Sequence, residues 1–285
     1  MEAAAGAELV VVELEELDGE AIAALPDLRL VATARGAPSN VDVSTATARG
    51  LPVLHTPGRN AASVADFTIG LILVQCRSIA RGQDHLRRRG WMVGDQLPYL
   101  HFRGPELAGR TLGLVGYGAV GRQVARRAAS GFGMQVLAYD PFVSDPAPPA
   151  RAATLDELLS ASDVVSLHCP LTPDTVGLLG GRELALMQPH AVLVNTARAP
   201  VVDEAALVEA LATGRIGGAA LDVFWSEPVA PDHPLFGFDS VTLTPHLAGA
   251  ADDVVTHHTR MIVDDVARWL AGERPVHLAN PEVWG

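Results

Sequence analysis

Short apolar runs alternate with stretches of helical spacing through the first hundred residues. Each run is rich in Val, Leu and Ala, and in the stretch that follows, the apolar residues recur every three or four positions. This alternation predicts parallel strands connected by helices that cover the sheet. The predicted strands are 9–14, 29–34 and 51–57, and the predicted helices lie within 18–28, 40–50 and 63–90.

The same pattern restarts after a looser stretch, residues 90–109, in which Gly and Pro are frequent. We interpret that stretch as the crossing into a second domain. A last helical segment, 252–273, has the spacing of a terminal helix that packs back onto the first domain. The sequence therefore predicts two α/β domains, one formed by 1–103 with 252–285 and the other by 104–251. The strands predicted for the second domain are 110–118, 133–140, 163–170, 191–197, 218–224 and 240–246.

Composition narrows the class of protein. The 285 residues carry a formal net charge of −12, which argues against binding to nucleic acid or to anionic membranes. The two cysteines, Cys76 and Cys169, lie far apart, so we expect no disulfide framework and a cytoplasmic location. The apolar run at the N-terminus has no basic region before it, and no apolar segment reaches transmembrane length. We expect no metal site, since the adjacent His257 and His258 face different sides of a helix.

A glycine motif marks a dinucleotide site. Gly116, Gly118 and Gly121 have the GxGxxG spacing, and they follow an apolar strand and open a helix. In that context the glycines permit a tight turn, a close approach of pyrophosphate to the backbone, and tight packing of helix on strand. Asp140 ends the next strand, about 20 residues further on, where a carboxylate accepts hydrogen bonds from the adenosine ribose. A carboxylate there repels a 2′-phosphate, so the sequence predicts NAD as the cofactor.

Four later strands of the second domain lead into residues that carry chemistry. In an open parallel sheet, ligands bind outside the carboxyl ends of the strands, so residues at these ends are expected to gather around one site. The residues at or just beyond these ends are His168, Cys169, Pro170, Arg198, Asp222, Glu227 and His246.

Six ordered motifs resemble the D-isomer-specific 2-hydroxyacid dehydrogenases. They are VGYGAVG, YD, HCPLTPDT, VNTAR with VVDEAAL, DVFWSEP and TPHLAG, and the similarity runs from about residue 9 to about residue 275. The resemblance implies a catalytic set, Arg198, Glu227 and His246, that interconverts a D-2-hydroxy acid and its 2-oxo acid by hydride transfer with NAD. The chemistry agrees with those residue types. A histidine donates protons near neutral pH, a carboxylate orients its ring, and an arginine presents a planar fork to the substrate's carboxylate and carbonyl.

The resemblance also implies the architecture and the remaining contacts. It implies two Rossmann-like or flavodoxin-like, doubly wound parallel-sheet domains, with the active site in the cleft between a substrate domain and an NAD-binding domain. Family members carry a further βα unit before the first strand, so the first domain is either short or N-terminally truncated. The implied substrate-binding residues are Gly36, Ala37, Asn60, Arg198 and His246. The implied cofactor-binding residues are Gly116, Gly118, Ala119, Val120, Gly121, Asp140, His168, Cys169, Pro170, Thr175, Thr196, Ala197, Arg198, Asp222, His246 and Ala248, with Asp222 accepting a hydrogen bond from the nicotinamide carboxamide.

Some residues depart from the family or leave the substrate open. Ala199, followed by Pro200, stands where relatives usually have glycine, and we expect extended backbone at Ala199 and a slight re-aiming of Arg198. The segment 13–16 holds three glutamates, which argues against a phosphorylated substrate. Trp225 either caps a pocket for a bulky side chain or packs in the ordinary way.

A second class of function shares the same fold. An NAD(H)-sensing interaction protein, similar to the corepressors of this family, would bind the cofactor with little turnover, and NAD-dependent assembly without turnover would support it. The complete catalytic set favours the enzyme. On either interpretation we expect a homodimer, with the helix around residues 61–81 and the arm after it as the interface, and a small 2-hydroxy or 2-oxo acid as ligand.

Overall fold

A computed structural model describes residues 4–285. These residues form two compact units, one holding the chain up to Asn60 together with Ala250–Gly285, and the other holding Ala61–Gly249. The strands are β1 (Leu9–Val12), β2 (Leu30–Thr33), β3 (Val53–Leu54), β4 (Thr111–Val115), β5 (Gln135–Tyr139), β6 (Ala150–Ala152), β7 (Val164–Leu167), β8 (Val192–Asn195), β9 (Gly218–Leu221) and β10 (Val241–Leu243). The helices are α1 (Gly19–Ala23), α2 (Val43–Ala48), α3 (Ala61–Cys76), α4 (Ile79–Arg89), α5 (Pro98–His101), α6 (Ala119–Phe132), α7 (Leu155–Ala161), α8 (Gly181–Leu186), α9 (Glu204–Ala212) and α10 (Asp253–Leu270).

The first compact unit contains a three-stranded parallel sheet in the order β1-β2-β3. The terminal helix α10 belongs to this unit, as the sequence predicts, and its Ile262 is buried against Leu30 and Leu54. The C-terminal segment is fastened by a buried amide. Asn280 accepts a hydrogen bond from the Val53 amide (2.8 Å) and donates one to the Leu51 carbonyl (2.9 Å). Buried hydrogen bonds of this kind hold an irregular segment onto a sheet without leaving its polar groups unpaired.

The second compact unit contains a seven-stranded parallel sheet in the order β10-β9-β8-β7-β4-β5-β6. Its central strands are buried on both faces, which explains why their sequences are continuously apolar. Leucines of α7, α8 and α9 cover one face, and α3 and α6 cover the other. The strand order changes direction between β4 and β7, and such a switch point opens a crevice at the carboxyl ends of the strands. The doubly wound α/β fold predicted from the sequence is confirmed.

The structure adds three local features to the predicted elements. The three-residue edge strand β6 forms in a stretch that reads as loop, directly after four residues rich in Pro. The single helix predicted within 63–90 is two helices, α3 and α4, because Ser78 takes a left-handed conformation (φ 52°). Residues 61–103, which the sequence analysis assigns to the substrate domain, lie in the second compact unit. The predicted domain limits at 103 and 252 stay a prediction.

One property of the helices concerns membranes. Between residues 4 and 285, no single helix is both long and apolar enough to cross a membrane. Among the helices of these described residues, only α3 and α4 taken together reach the required length and composition, and they are bent by 58°.

Candidate active site

The glycine loop joins β4 to α6 at the switch point of the sheet. Gly116 has φ 98°, a left-handed conformation that glycine adopts without strain, and a Cβ there would lie 2.6 Å from the Cys169 amide nitrogen. A Cβ on Gly121 would collide with the Gly116 carbonyl oxygen. Gly118, the N-cap of α6, faces open space instead. Packing therefore requires glycine at 116 and 121, while Gly118 leaves room above the helix N-terminus for a phosphate group.

Asp140 follows β5, the neighbour of β4 in the sheet. Its carboxylate accepts hydrogen bonds from the Tyr117 amide (2.8 Å) and the Phe142 amide (3.0 Å). The bond from Tyr117 fixes the carboxylate beside the glycine loop, although the sequence gives no signal for it. The open space at Gly118 and the adjacent carboxylate together fit the phosphates and the ribose of a dinucleotide.

The segment after β7 faces the glycine loop. His168 Nε2 lies 2.9 Å from Ser166 Oγ, and desolvation of the ring lowers the pKa of His168 to about 3, so the imidazole is neutral. Burial raises the pKa of the Cys169 thiol, which stays protonated near neutral pH. Thr175 closes the segment by donating to the Pro170 carbonyl (2.7 Å). These groups form a wall of side chains that are neutral near pH 7.

Arg198 follows β8 and is held by its neighbours. Asn195, the last residue of β8, accepts from the Ala197 amide (3.0 Å) and donates to the Arg198 carbonyl (3.0 Å), which curls the chain around the arginine. The Arg198 guanidinium donates to the Ala197 carbonyl (2.6 Å) and is otherwise exposed. The role of Asn195 was missed, although an Asn at a strand end is a recognised turn former.

Ala199 does not have the extended conformation expected before a proline. It begins a 3-10 turn, Ala199–Val201, which the Val202 amide closes by donating to the Ala199 carbonyl (2.9 Å). The side chain of Ala199 is buried. Glycine's conformational range is not needed in this turn, because Ala199 is not among the positive-φ residues of the described chain. A re-aiming of Arg198 by this change stays a prediction.

His246 and Glu227 form a hydrogen-bonded pair after β10 and β9. His246 Nδ1 lies 2.7 Å from Glu227 Oε2, and the other carboxylate oxygen accepts from the Phe224 amide (3.0 Å). Partial burial raises the pKa of Glu227. The hydrogen bonds from His246 and from the Phe224 amide, and the charges of His246 and Arg198, outweigh that effect, so the net pKa lies below its ordinary value. The other two predicted catalytic side chains, Arg198 and His246, therefore lie within electrostatic reach of Glu227.

Asp222 organises the loop that carries His246. It is fully buried and accepts from the Thr244 hydroxyl (2.6 Å) and from the amides of Leu247 (2.8 Å) and Ala248 (2.7 Å). His246 lies between these donors with φ 55°, a conformation that costs a non-glycine residue free energy. Three bonds to one buried carboxylate offset that cost. Sequence reasoning places Asp222 at the site but misses its role in holding this loop. The one sequence signal for that role is a polar residue in an apolar run.

The other predicted residues take more ordinary places. Thr196 shares a buried hydrogen bond with Thr68 (2.9 Å). Trp225 donates to the Val202 carbonyl (2.9 Å) and stacks on His233 at 11°, which favours the packing interpretation. In the first compact unit, Gly36 and Ala37 lie in an exposed loop after β2, and Asn60 directly precedes α3. Their contact with substrate stays a prediction. No group of three or more His, Cys, Asp or Glu side chains within residues 4–285 is arranged to hold a metal ion.

The fold and the site define a class: a dinucleotide-binding α/β protein with a hydrogen-bonded His–Glu pair after the carboxyl ends of two strands of the same sheet. Residues 69–248 match the model of the D-isomer specific 2-hydroxyacid dehydrogenase NAD-binding domain. A glyoxylate reductase of Thermofilum pendens is 42% identical over 273 residues, which are 94% of this chain and 80% of that protein. The chain belongs to the D-isomer-specific 2-hydroxyacid dehydrogenase family.

Solved structures agree with this membership. The TT0316 protein of Thermus thermophilus has a TM-score of 0.84 and 36% identity, covering 98% of this chain and 88% of that one. A D-mandelate dehydrogenase of Rhodotorula graminis has a TM-score of 0.83 and 28% identity, covering 95% and 83%. The chain is an NAD-dependent oxidoreductase that interconverts D-2-hydroxy acids and 2-oxo acids, which confirms the predicted family, activity and cofactor.

Proposed function

We propose that Arg198, Glu227 and His246 carry the reaction, and that the substrate is a small, unphosphorylated 2-oxo acid. The observation that supports the residue roles is the 2.7 Å hydrogen bond between His246 and Glu227. It occupies Nδ1 of the ring and leaves Nε2 available to the substrate.

In the direction of reduction, bound NADH supplies the hydride. His246 donates a proton from Nε2 to the substrate oxygen, and Glu227 keeps the ring in the orientation and tautomer that this transfer needs. The Arg198 fork binds the substrate carboxylate and the neighbouring carbonyl oxygen, and its charge stabilises the negative charge that develops on that oxygen. Asp222, Thr244 and the backbone of the loop hold His246 in place throughout.

Two observations support the substrate class. The loop after β1 is acidic, with Glu13 and Glu15 in the carboxyl-end region of the first sheet, and such charges disfavour a phosphorylated substrate. The relative from Thermofilum pendens is named glyoxylate reductase. We therefore place glyoxylate first among the candidates, followed by other short 2-oxo acids.

A panel of 2-oxo acids tests the proposal. Purified protein is incubated with NADH and each acid, and oxidation of NADH is followed by absorbance. We expect glyoxylate to have the highest kcat/KM and a phosphorylated 2-oxo acid to be a poor substrate. Preference for the phosphorylated acid would reject the substrate class. Loss of turnover in His246→Asn with little change in NADH affinity would support the residue roles, whereas an active His246→Asn variant would reject them.

We also propose a homodimer that forms through the segment after α3. Helix α4 has no buried residue, and the stretch from Ile79 to Leu100 exposes large apolar side chains that a partner subunit would cover. They are Ile79, Leu86, Trp91, Met92, Leu97, Tyr99 and Leu100. The two unpaired cysteines, Cys76 and Cys169, support a cytoplasmic location for this dimer.

The paired His246 and Glu227 favour turnover over a purely NAD-sensing role.

A further inference from the structure

Arg122 is a basic side chain near the cofactor crevice to which no role has been assigned. It lies on α6 one residue after Gly121, the last glycine of the motif, and it is exposed. Its amide donates to the Gly118 carbonyl (3.1 Å), so it belongs to the first turns of the helix. Residues three apart on a helix lie on the same face, which places Arg122 on the face that Ala119 begins. Ala119 itself brings no charge to that face.

The guanidinium of Arg122 leans back toward the glycine loop. Its Nε donates to the Tyr117 carbonyl (3.1 Å), and the guanidinium carbon lies 5.8 Å from the centre of the Tyr117 ring. Helix side chains tilt toward the N-terminus of their helix, so the direction follows from the position of Arg122. Tyr117 lies between Gly116 and Gly118, and its amide donates to Asp140. These contacts hold the guanidinium beside the glycine loop.

The remaining donors of Arg122 suit an anionic group. Within the described chain, its two terminal nitrogens have no hydrogen-bond partner, and no carboxylate pairs with the guanidinium. Each phosphate of a dinucleotide carries a negative charge, and Asp140, whose carboxylate accepts from the Tyr117 amide, adds another negative charge to the crevice. The partial charge of a helix N-terminus opposes this only in part. A full positive charge at the loop offsets part of the remainder, and a guanidinium binds phosphate oxygens with paired donors.

We propose that Arg122 binds the pyrophosphate of NAD, with its Nε bond to Tyr117 holding the guanidinium in place. The inference concerns cofactor binding, so it stands independently of which 2-oxo acid is reduced.

The test compares Arg122→Gln with Arg126→Gln by fluorescence titration with NADH and with NADPH, and by displacement of bound NADH with ADP-ribose, which keeps the pyrophosphate and lacks nicotinamide. Arg126 is the matched control, since it is a neighbouring exposed arginine of α6 that donates to Gln123 of its own helix. We expect Arg122→Gln to bind both ligands at least about tenfold more weakly, as the loss of a charge-assisted hydrogen bond predicts. Arg122→Lys should recover part of the affinity, and Arg126→Gln should bind as the wild type does. Raising the salt concentration should weaken binding less in Arg122→Gln than in the wild type.

Three results would overturn the proposal. Unchanged affinity of Arg122→Gln for ADP-ribose would show that the arginine does not meet the pyrophosphate. An equal loss in Arg126→Gln would show a general effect of helix charge. A loss confined to NADPH would place the guanidinium at a ribose 2′-phosphate instead. Thermal unfolding of each variant is measured alongside, and a weakened Arg122→Gln that unfolds at the wild-type temperature separates ligand binding from support of Tyr117.

Discussion

At the scale of single residues, the bond between His246 and Glu227 fixes which ring nitrogen faces the substrate. Glu227→Gln keeps the shape of the side chain and removes its charge, so it weakens the hydrogen bond that holds Nδ1 of His246. We expect kcat/KM to fall by about 100-fold or more, with the NADH dissociation constant within about twofold of wild type. Steady-state kinetics and NADH titration measure the two quantities.

The second compact unit contains a matched control for Glu227→Gln. Glu204 also pairs with a histidine, His233 (2.9 Å), which packs against Phe224 and Trp225 and, within the described chain, makes no hydrogen bond to Arg198, Glu227 or His246. Glu204→Gln should change stability without a comparable loss of kcat/KM. Equal losses in the two variants would contradict the assignment of Glu227.

A second residue-scale prediction concerns pH. The pKa of Glu227 in the folded protein lies below its ordinary value of 4.5. A carboxyl with a lowered folded pKa contributes stability that is complete above the unfolded pKa and is lost as pH falls through the folded pKa. The difference in unfolding free energy between wild type and Glu227→Gln should therefore shrink as the pH falls below about 4.5. Urea unfolding at a series of pH values measures it, and a difference that grows on acidification would contradict the lowered pKa.

The sequence predicts these residues better than it predicts their partners. Arg198, Glu227 and His246 are recognisable because strand ends and family motifs mark them. Asn195 and Thr244 are not, because Asn195 bonds to the backbone of the turn after it and Thr244 donates to the Asp222 carboxylate, and only the folded loops bring these groups within reach. The 3-10 turn at Ala199 shows the limit most clearly, since a local rule for residues before proline predicts the wrong conformation there.

At the scale of elements, the glycine loop makes a prediction that separates packing from binding. A methyl group at Gly121 collides with the Gly116 carbonyl oxygen, whereas one at Gly118 meets no protein atom within 4 Å. Gly121→Ala should therefore be strongly destabilised, by about 2 kcal/mol or more. Gly118→Ala should keep its stability within about 1 kcal/mol and bind NADH at least about tenfold more weakly. Thermal unfolding and NADH titration distinguish the two, and a Gly118→Ala variant with normal affinity would contradict the site.

The loop of His246 supports a further prediction. Asp222→Asn replaces an oxygen that accepts a hydrogen bond by an NH₂ group, which places two donors face to face at one backbone amide. We expect a loss of about 1–3 kcal/mol in stability and a lower kcat, because His246 loses its fixed position. The comparison with His246→Asn, which should lower kcat while leaving the loop intact, separates the two effects. Wild-type kcat in Asp222→Asn would contradict the positioning role.

The sequence also predicts elements unequally. Apolar strands such as β4 and β8 are recognisable from the hydrophobic pattern. Strand β6 is not, because it has only three residues at the edge of the sheet and forms by pairing with the neighbouring strand β5. The break between α3 and α4 depends on one serine with a positive φ, for which the helical spacing on both sides gives no sign.

At the scale of the whole molecule, the alternation of apolar runs with helical stretches is enough to predict the fold class, since parallel strands need helices on both faces of their sheet. The division into compact units was harder to predict. Gly and Pro mark residues 90–109 as a boundary. Helix α3 precedes that boundary, yet its contacts with α6 and with the strands of the larger sheet place α3 in the second unit. The neighbours of a buried helix decide which compact unit it belongs to. The sequence of the helix alone does not identify those neighbours.

The exposed apolar segment gives the last prediction. Leu86 is 53% exposed on α4, and Val263 is 58% exposed on α10, so neither contributes much to the core of its own unit. If the segment from Ile79 to Leu100 forms the dimer interface, Leu86→Glu places an unpaired charge in it and weakens association by several kcal/mol, on the order of the cost of a buried charge without a partner. Val263→Glu makes the same change outside the segment. Sedimentation equilibrium should find the wild type and Val263→Glu as dimers and Leu86→Glu shifted to monomer, with all three unfolding at similar temperatures. Dimers of equal strength in the two variants would place the interface elsewhere.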